Sequence, residues 1–402
     1  MMMPASCGTP WPSRALIVVW SRASLLPIFG EPALSRLIRL ATSEGLAVTV
    51  WLTPELRGAL TRRPPSQIPV VWRVAELEEM AGAVPTLAGH PEETLLVLPG
   101  HSVWDRESFR RARGAKGAPE PYAAYRLPAF QVAAAVARWQ EEGPPEGPGA
   151  LLPCLLRGPE DVRAAESRLV AALAAATQES DGFLARWVDR PLSRCLSPRL
   201  AARGVPPNAV TLVGSSLGFL GAFFLAQAGY AAHLLGAWLF LVAVVLDGVD
   251  GEVARLSLRE SRFGHYLDII TDNLVHVAVF CGIAAGLHRE APDARHLYAL
   301  ALLLVGFGLC ALAVFLVLGT GPRAAASPWA ERLLAALNSR DFAYLVFLLA
   351  LADRLAWFLW GAAVGTYVFA GALLWLARKR GGGKPPPAGG GPGSGTPGPH
   401  RP

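Results

Sequence analysis

The sequence predicts two unlike parts: a soluble α/β domain first, then an α-helical membrane domain of six transmembrane helices. Three observations predict this. Hydrophobic residues make up 52% of the 402 residues and charged residues 17%, against roughly 25% charged in soluble proteins. The apolar excess is concentrated after Asn208. Ahead of it, short strand-like runs alternate with stretches of helical periodicity.

The soluble domain is placed at residues 13–150. Ala15-Leu-Ile-Val-Val-Trp20, Leu46-Ala-Val-Thr-Val-Trp-Leu52 and Thr94-Leu-Leu-Val-Leu98 read as strands, and Pro32 to Ser43 as a helix. Strands alternating with helices imply a parallel sheet covered on both faces. Pro- and Gly-rich stretches at 114–121 and 143–149 are loops. The N-terminal end shows no signal-peptide pattern, since Ala15–Trp20 is too short for a signal's apolar stretch and reads as a buried strand.

A connector, 151–207, carries a basic amphipathic segment at 182–203. Phe183, Leu184, Trp187, Val188, Leu192, Leu196 and Leu200 recur at helical spacing, with Arg186, Arg190, Arg194, Arg199 and Arg203 between them. Such a segment suits either the membrane interface, with arginines on anionic headgroups, or the surface of the soluble domain. Pro191 and Pro198 should divide it into two short pieces.

Six apolar segments follow, at 209–229, 231–253, 264–287, 294–319, 340–355 and 357–377. A spanning helix needs about 20 apolar residues, and the fifth is short. Arg255, Arg259 and Arg262 follow the second segment, Arg323, Arg332 and Arg340 the fourth, and Arg378, Lys379, Arg380 and Lys384 the sixth. Arg289, Arg295 and Arg354 lie in the opposite loops. The richer side is expected to be cytoplasmic, with both termini. Residues 381–402 are Gly/Pro-rich and are expected to be disordered. The net charge of +6 arises from arginines flanking apolar segments, which argues against a nucleic-acid surface. Five scattered cysteines (Cys7, Cys154, Cys195, Cys281 and Cys310) form no metal-finger spacing and no disulfide framework.

The chemistry-bearing stretch joins the second and third apolar segments: Asp247-Gly-Val-Asp250-Gly251-Glu-Val-Ala254-Arg255, then Gly264, Asp268 and Asp272. Asp247 and Asp250 share a helix face, as do Asp268 and Asp272. Two antiparallel helices would then point four carboxylates at one spot beside hydrocarbon, a costly arrangement without positive charge among them. Oxygen ligands in this number suit Mg²⁺ or Mn²⁺, and a carboxylate-held metal pair serves displacement at phosphorus. Gly248 and Gly251 allow close approach of a pyrophosphate at a glycine-containing turn. His265, His276 and His288 are assigned no chemistry.

This pattern resembles the signature of the CDP-alcohol phosphotransferase family, D-x2-D-G-x2-A-R-x8-G-x3-D-x3-D, with every fixed position present at the right spacing. The resemblance implies metal ligation by Asp247, Asp250 and Asp268. It makes Asp272 the base for the acceptor hydroxyl, with metal contact also open to it. Gly251, Ala254, Arg255 and Gly264 would line the CDP site. Pro207-Asn208-Ala-Val-Thr211 resembles the family's P-N-x-x-T entry, where Asn208 is either a polar contact near the site or a helix cap. Membrane residues 208–380 would thus take a CDP-alcohol donor and an alcohol acceptor in the bilayer and release CMP, with a homodimer among the candidate assemblies. Asp181-Gly-Phe…Arg190-Pro-Leu-Ser193 is closest to the subgroup that makes inositol phosphodiesters, often fused to a cytidylyltransferase-like domain.

The soluble domain is similar to a Rossmann-like nucleotidyltransferase, but in degenerate form. Its first strand is followed by Trp20-Ser-Arg22-Ala-Ser-Leu-Leu-Pro27, with no Gly-rich phosphate loop. Gly100-His101-Ser102 stands where a metal-binding Asp is expected, and Asp105 is displaced. A structural or regulatory role is expected of it. A bifunctional enzyme that also makes the CDP-alcohol is the alternative. A transporter would show repeated halves with broken helices, and a scaffold would not need four aspartates at this spacing.

Overall fold

The computed structural model describes residues 12–60, 70–88, 90, 92–114, 125–144, 153–177, 188–319 and 341–381. Phe183, Leu184, Arg186 and Trp187, most of both Pro/Gly loops, the cluster Arg323–Arg340 and residues 382–402 lie outside them.

The strands in chain order are β1 (Arg14–Val19), β2 (Pro27–Ile28), β3 (Glu31–Pro32), β4 (Ala47–Leu52), β5 (Val71–Val74), β6 (Thr94–Pro99), β7 (Ser102–Val103), β8 (Arg126–Pro128) and β9 (Cys154–Leu155). The soluble helices are α1 (Ala33–Ser43), α2 (Pro54–Leu60), α3 (Met80–Ala88), α4 (Arg106–Gly114), α5 (Val132–Glu142) and α6 (Glu160–Thr177). The main sheet runs β5-β4-β1-β6-β8. Its first four strands are parallel and β8 is antiparallel to β6, so the all-parallel expectation fails at one edge. β1 is central because Ala15–Val19 is an unbroken apolar run; Ile17 sits between Val50 and Leu98. A strand buried on both faces needs such continuity. The predicted strands and α1 match to within about a residue. β5 and β8, of four and three residues, are too short to show a period.

The strand order reverses between β1 and β6, which in open α/β sheets is where ligands bind. Here that crevice is filled. The Trp20 ring meets His101 edge-on at 5.0 Å, and the His101 side chain is buried. Gly100 N donates to Val18 O at 2.8 Å, and a Cβ at Gly100 would come within 2.7 Å of Val19 Cγ2. A nearby void lined by Arg36, Ser102 and Trp104 measures about 10 Å³, room for at most one water.

In the described part of the connector, α7 (Arg190–Ala202) runs unbroken through Pro198, against the expectation of a break there; residues 182–187, ahead of Pro191, lie outside the described residues. Pro191 lies in its first turn, where a missing N–H is harmless. Pro198 is accommodated inside because α7 is pinned laterally: Ser193, Ser197 and Ala201 are buried.

Among the described residues, the apolar helices that follow are α8 (Pro207–Leu225), α9 (Tyr230–Ser257), α10 (Arg262–Glu290), α11 (Ala294–Gly319), α12 (Asp341–Leu351) and α13 (Leu355–Gly381). Among the described residues, four are long and apolar enough to cross a membrane: α8, α9, α10 and Leu355–Ala372 of α13. The described apolar parts of α11 and α12 are shorter, Ala294–Cys310 and Phe342–Leu351. α8 and α9 cross closely because glycines meet: a Cβ on Gly236 would lie 2.6 Å from Gly221 O. Such small-residue contacts replace the hydrophobic drive that helices lack in lipid. Outward faces are apolar, with Phe263 and Trp357 each 69% exposed.

Candidate functional site

Asp247, Asp250, Gly251, Ala254 and Arg255 all lie within α9, which continues through both glycines to Ser257. The expected glycine-containing turn is therefore absent at that point; the chain turns only after Ser257. Each helical glycine costs about 1 kcal/mol of helix propensity, and tertiary packing of α9 against α8 and α7 overrides it. α10 begins with Ser261 as its cap, its Oγ accepting from Gly264 N at 2.9 Å. Asp268 and Asp272 follow one and two turns later.

Carboxylate oxygens of Asp247, Asp250 and Asp268 lie within 4.8 Å of one another. Asp272, one turn farther along α10, is outside that group. The structure thus brings three of the four aspartates together and leaves the fourth beside them, half-buried. Asp250 is 5% exposed, and its Oδ2 accepts a hydrogen bond from Thr211 Oγ1.

The glycines separate into two kinds. A Cβ at Gly264 would stand 2.8 Å from Asn208 Oδ1 and 3.0 Å from Ser261 Oγ, so a larger residue there would have to displace both side chains. A Cβ at Gly251 would meet only the Arg255 guanidinium, at an ordinary 3.5 Å. Among the described residues its three nearest neighbours are all atoms of Arg255, which is exposed. Asn208 makes no capping bond; the α8 cap is Pro206. Its helix-cap reading is corrected, because Pro207 takes the first helical position and moves Asn208 into the helix, facing Gly264.

Two buried residues escaped the sequence reading. The Thr211 of the P-N-x-x-T entry bonds Asp250, a partner 39 positions away. Glu252, only 3% exposed, accepts from Ser193 at 2.9 Å, from Ser197 at 2.7 Å and from Arg190. The signal available was Ser193 and Ser197 four apart, hence on one face of α7.

With this geometry in place, residues 205–385 match the family described as CDP-alcohol phosphatidyltransferase. Residues 205–385 are a CDP-alcohol phosphatidyltransferase domain. Over 126 residues the chain is 37% identical to the Bifunctional IPC transferase and DIPP synthase of Aquifex aeolicus, covering 31% of this chain and 28% of that one. It is 33% identical over 101 residues to the Archaetidylinositol phosphate synthase of Pyrococcus horikoshii, covering 25% of this chain and 50% of that one. The chain thus spans between a quarter and half the length of these relatives. A crystal structure of Mycobacterium tuberculosis phosphatidylinositol phosphate synthase with CDP-DAG bound is 24% identical at a TM-score of 0.34, covering 48% of this chain and 94% of that one. The three clustered aspartates, Gly251 and Arg255 all fall inside the CDP-alcohol phosphatidyltransferase domain.

Proposed function

We propose that this chain is a membrane phosphotransferase that moves a phosphoalcohol group from a CDP-alcohol donor to an alcohol acceptor, releasing CMP. The observation that carries it is the convergence of Asp247, Asp250 and Asp268 within 4.8 Å inside the matched domain. Three carboxylates so close repel one another unless a cation joins them, and all-oxygen donors suit Mg²⁺ or Mn²⁺. The open space over Gly251 fits a diphosphate alongside. When bound, one or two such ions would supply charge neutralisation for the donor's diphosphate.

Residues of the chain do the rest. Arg255, beside the open Gly251 face, holds phosphate oxygens by charge-assisted hydrogen bonds. Asn208, Gly264 and Ala254 shape the neighbouring wall of the donor site. Asp272 accepts the proton of the acceptor hydroxyl. The hydroxyl oxygen then bonds to the phosphorus that carries the donor alcohol, the bond from that phosphorus to the CMP oxygen breaks, and CMP leaves.

The acceptor we favour is an inositol-type polyol or its phosphate, supported by the name of the archaetidylinositol phosphate synthase relative and by the Asp181–Ser193 pattern. The arginine distribution favours six spans with the site and both termini on the cytoplasmic side. Purified protein in lipid, given a panel of CDP-alcohol donors and polyol acceptors with Mn²⁺ or Mg²⁺, should release CMP and stop on chelation. Full CMP release in excess chelator would sink the proposal.

A further inference from the structure

The short turn between α9 and α10 sets how the Asp247/Asp250 pair faces Asp268. Every residue from Leu256 to Glu260 is engaged by the α/β domain. Arg36 Nη1 donates to Leu256 O at 2.5 Å, and Arg39 Nη1 to Ser257 O at 3.0 Å. These are the last carbonyls of α9, which lack intrahelical partners and carry the negative end of the helix dipole. Leu258 has φ +53°, a left-handed conformation that leucine rarely adopts, and its side chain packs against the core of the α/β domain. Arg259 bonds Glu31 at 2.5 Å, and Glu260 pairs with Arg106 at 2.6 Å.

The grip extends along α9. Val249 and Val253, on either side of Asp250 in sequence, share a buried core with Ile28 and Phe29 of the α/β domain. At Gly30 a Cβ would approach Ala202 O to 2.4 Å, so this loop also presses on the end of α7. Arg36 is 5% exposed, and burial lowers its pKa to about 10.

We propose that the α/β domain, its nucleotide crevice closed, is a positioning element for the metal site, with Arg36, Arg39 and Leu258 as its contact points. A buried guanidinium on one helix-terminal carbonyl and a second, partly buried one on the next, together with a leucine held at positive φ, are more than linking two domains requires. It fixes where α9 ends and α10 begins, and metal sites tolerate only small departures, on the order of 0.5 Å. Arg36 and Arg39 are positioning residues, acting through α9.

The proposal rests on reading the aspartates as a metal site, so its test has two independent readouts. Full-length protein in lipid nanodiscs is titrated with Mn²⁺ by electron paramagnetic resonance, and amide hydrogen exchange is followed over residues 247–261. Arg36→Met should weaken Mn²⁺ binding about tenfold, raise the donor KM more than it lowers kcat, and speed exchange in the last turn of α9. Arg36→Lys should restore part of each, and Arg138→Ala, at an exposed position of α5, should change none. Where Arg36→Met fails to fold, Leu258→Gly, which suits the φ but removes the anchor, should speed the same exchange. Unchanged Mn²⁺ affinity and unchanged exchange in a folded Arg36→Met protein would overturn the proposal, even with a lower melting temperature. Failure of the unaltered protein to bind Mn²⁺ would instead defeat the metal-site reading, while exchange still decides whether the clasp exists.

Discussion

Two places in this molecule compare as candidate ligand sites: the α9–α10 face, where three carboxylates meet, and the β1–β6 crevice, where open α/β sheets bind ligands. At the first, carboxylates converge and the space over Gly251 stays open. At the second, Trp20 closes over a buried His101, and the loop after β1 is a short 3₁₀ turn, Arg22–Leu25, instead of a glycine-rich cradle. Topology alone does not make a site, because strand order depends on buried apolar runs and ligand binding on a few loop side chains.

The comparison breaks most visibly at Asp247 and Asp250. Either Asp→Asn change should cut CMP release by at least about a thousandfold, the scale of several kcal/mol of lost charge stabilisation. The same variants, offered CTP and a phosphorylated polyol, should release no pyrophosphate above background; robust release would show that the sheet crevice is a working site after all.

Asp272→Asn should lower kcat about 10²–10⁴-fold, the range for a general base, while calorimetry finds donor binding largely intact. Its position outside the three-carboxylate group motivates the distinction. If donor binding falls as far as in Asp247→Asn, Asp272 is better described as a fourth ligand.

Thr211→Val removes the hydroxyl that bonds buried Asp250. It should cost roughly 1.5–3 kcal/mol, the range for a bond to a charged group, read as a lower melting temperature and weaker Mn²⁺ binding. A variant as tight and as stable as the parent would mean that Asp250 is oriented by something else.

The last effect belongs to the closed crevice and appears only in acid. Burial lowers the His101 pKa from 6.5 to about 4. Between those values the unfolded chain takes a proton that the folded domain refuses, so the His101 contribution is intact above pH 6.5 and shrinks as pH falls towards 4. His101→Gln should flatten that part of the melting-temperature profile by at most about 3 kcal/mol. A profile identical to the parent's would show that His101 is not the group refusing the proton.

The sequence by itself determined the central strands, the membrane character of the second half and the aspartates of the site. These rest on local rules: continuous apolar runs, spans of about 20 residues, and carboxylates three or four apart on a helix. Only the tertiary structure decided that Asp247–Arg255 lies inside a helix, that three of the four aspartates meet, that Thr211 bonds Asp250, and that Glu252 is buried against Ser193, Ser197 and Arg190 of α7. The clasp of Arg36 and Arg39 on α9 was likewise beyond reach, since arginines some 220 positions from the carbonyls they satisfy look like ordinary charges on a helix. Periodicity reports which face of an element is apolar; it carries no information about which distant backbone group completes the hydrogen bonds of a buried side chain.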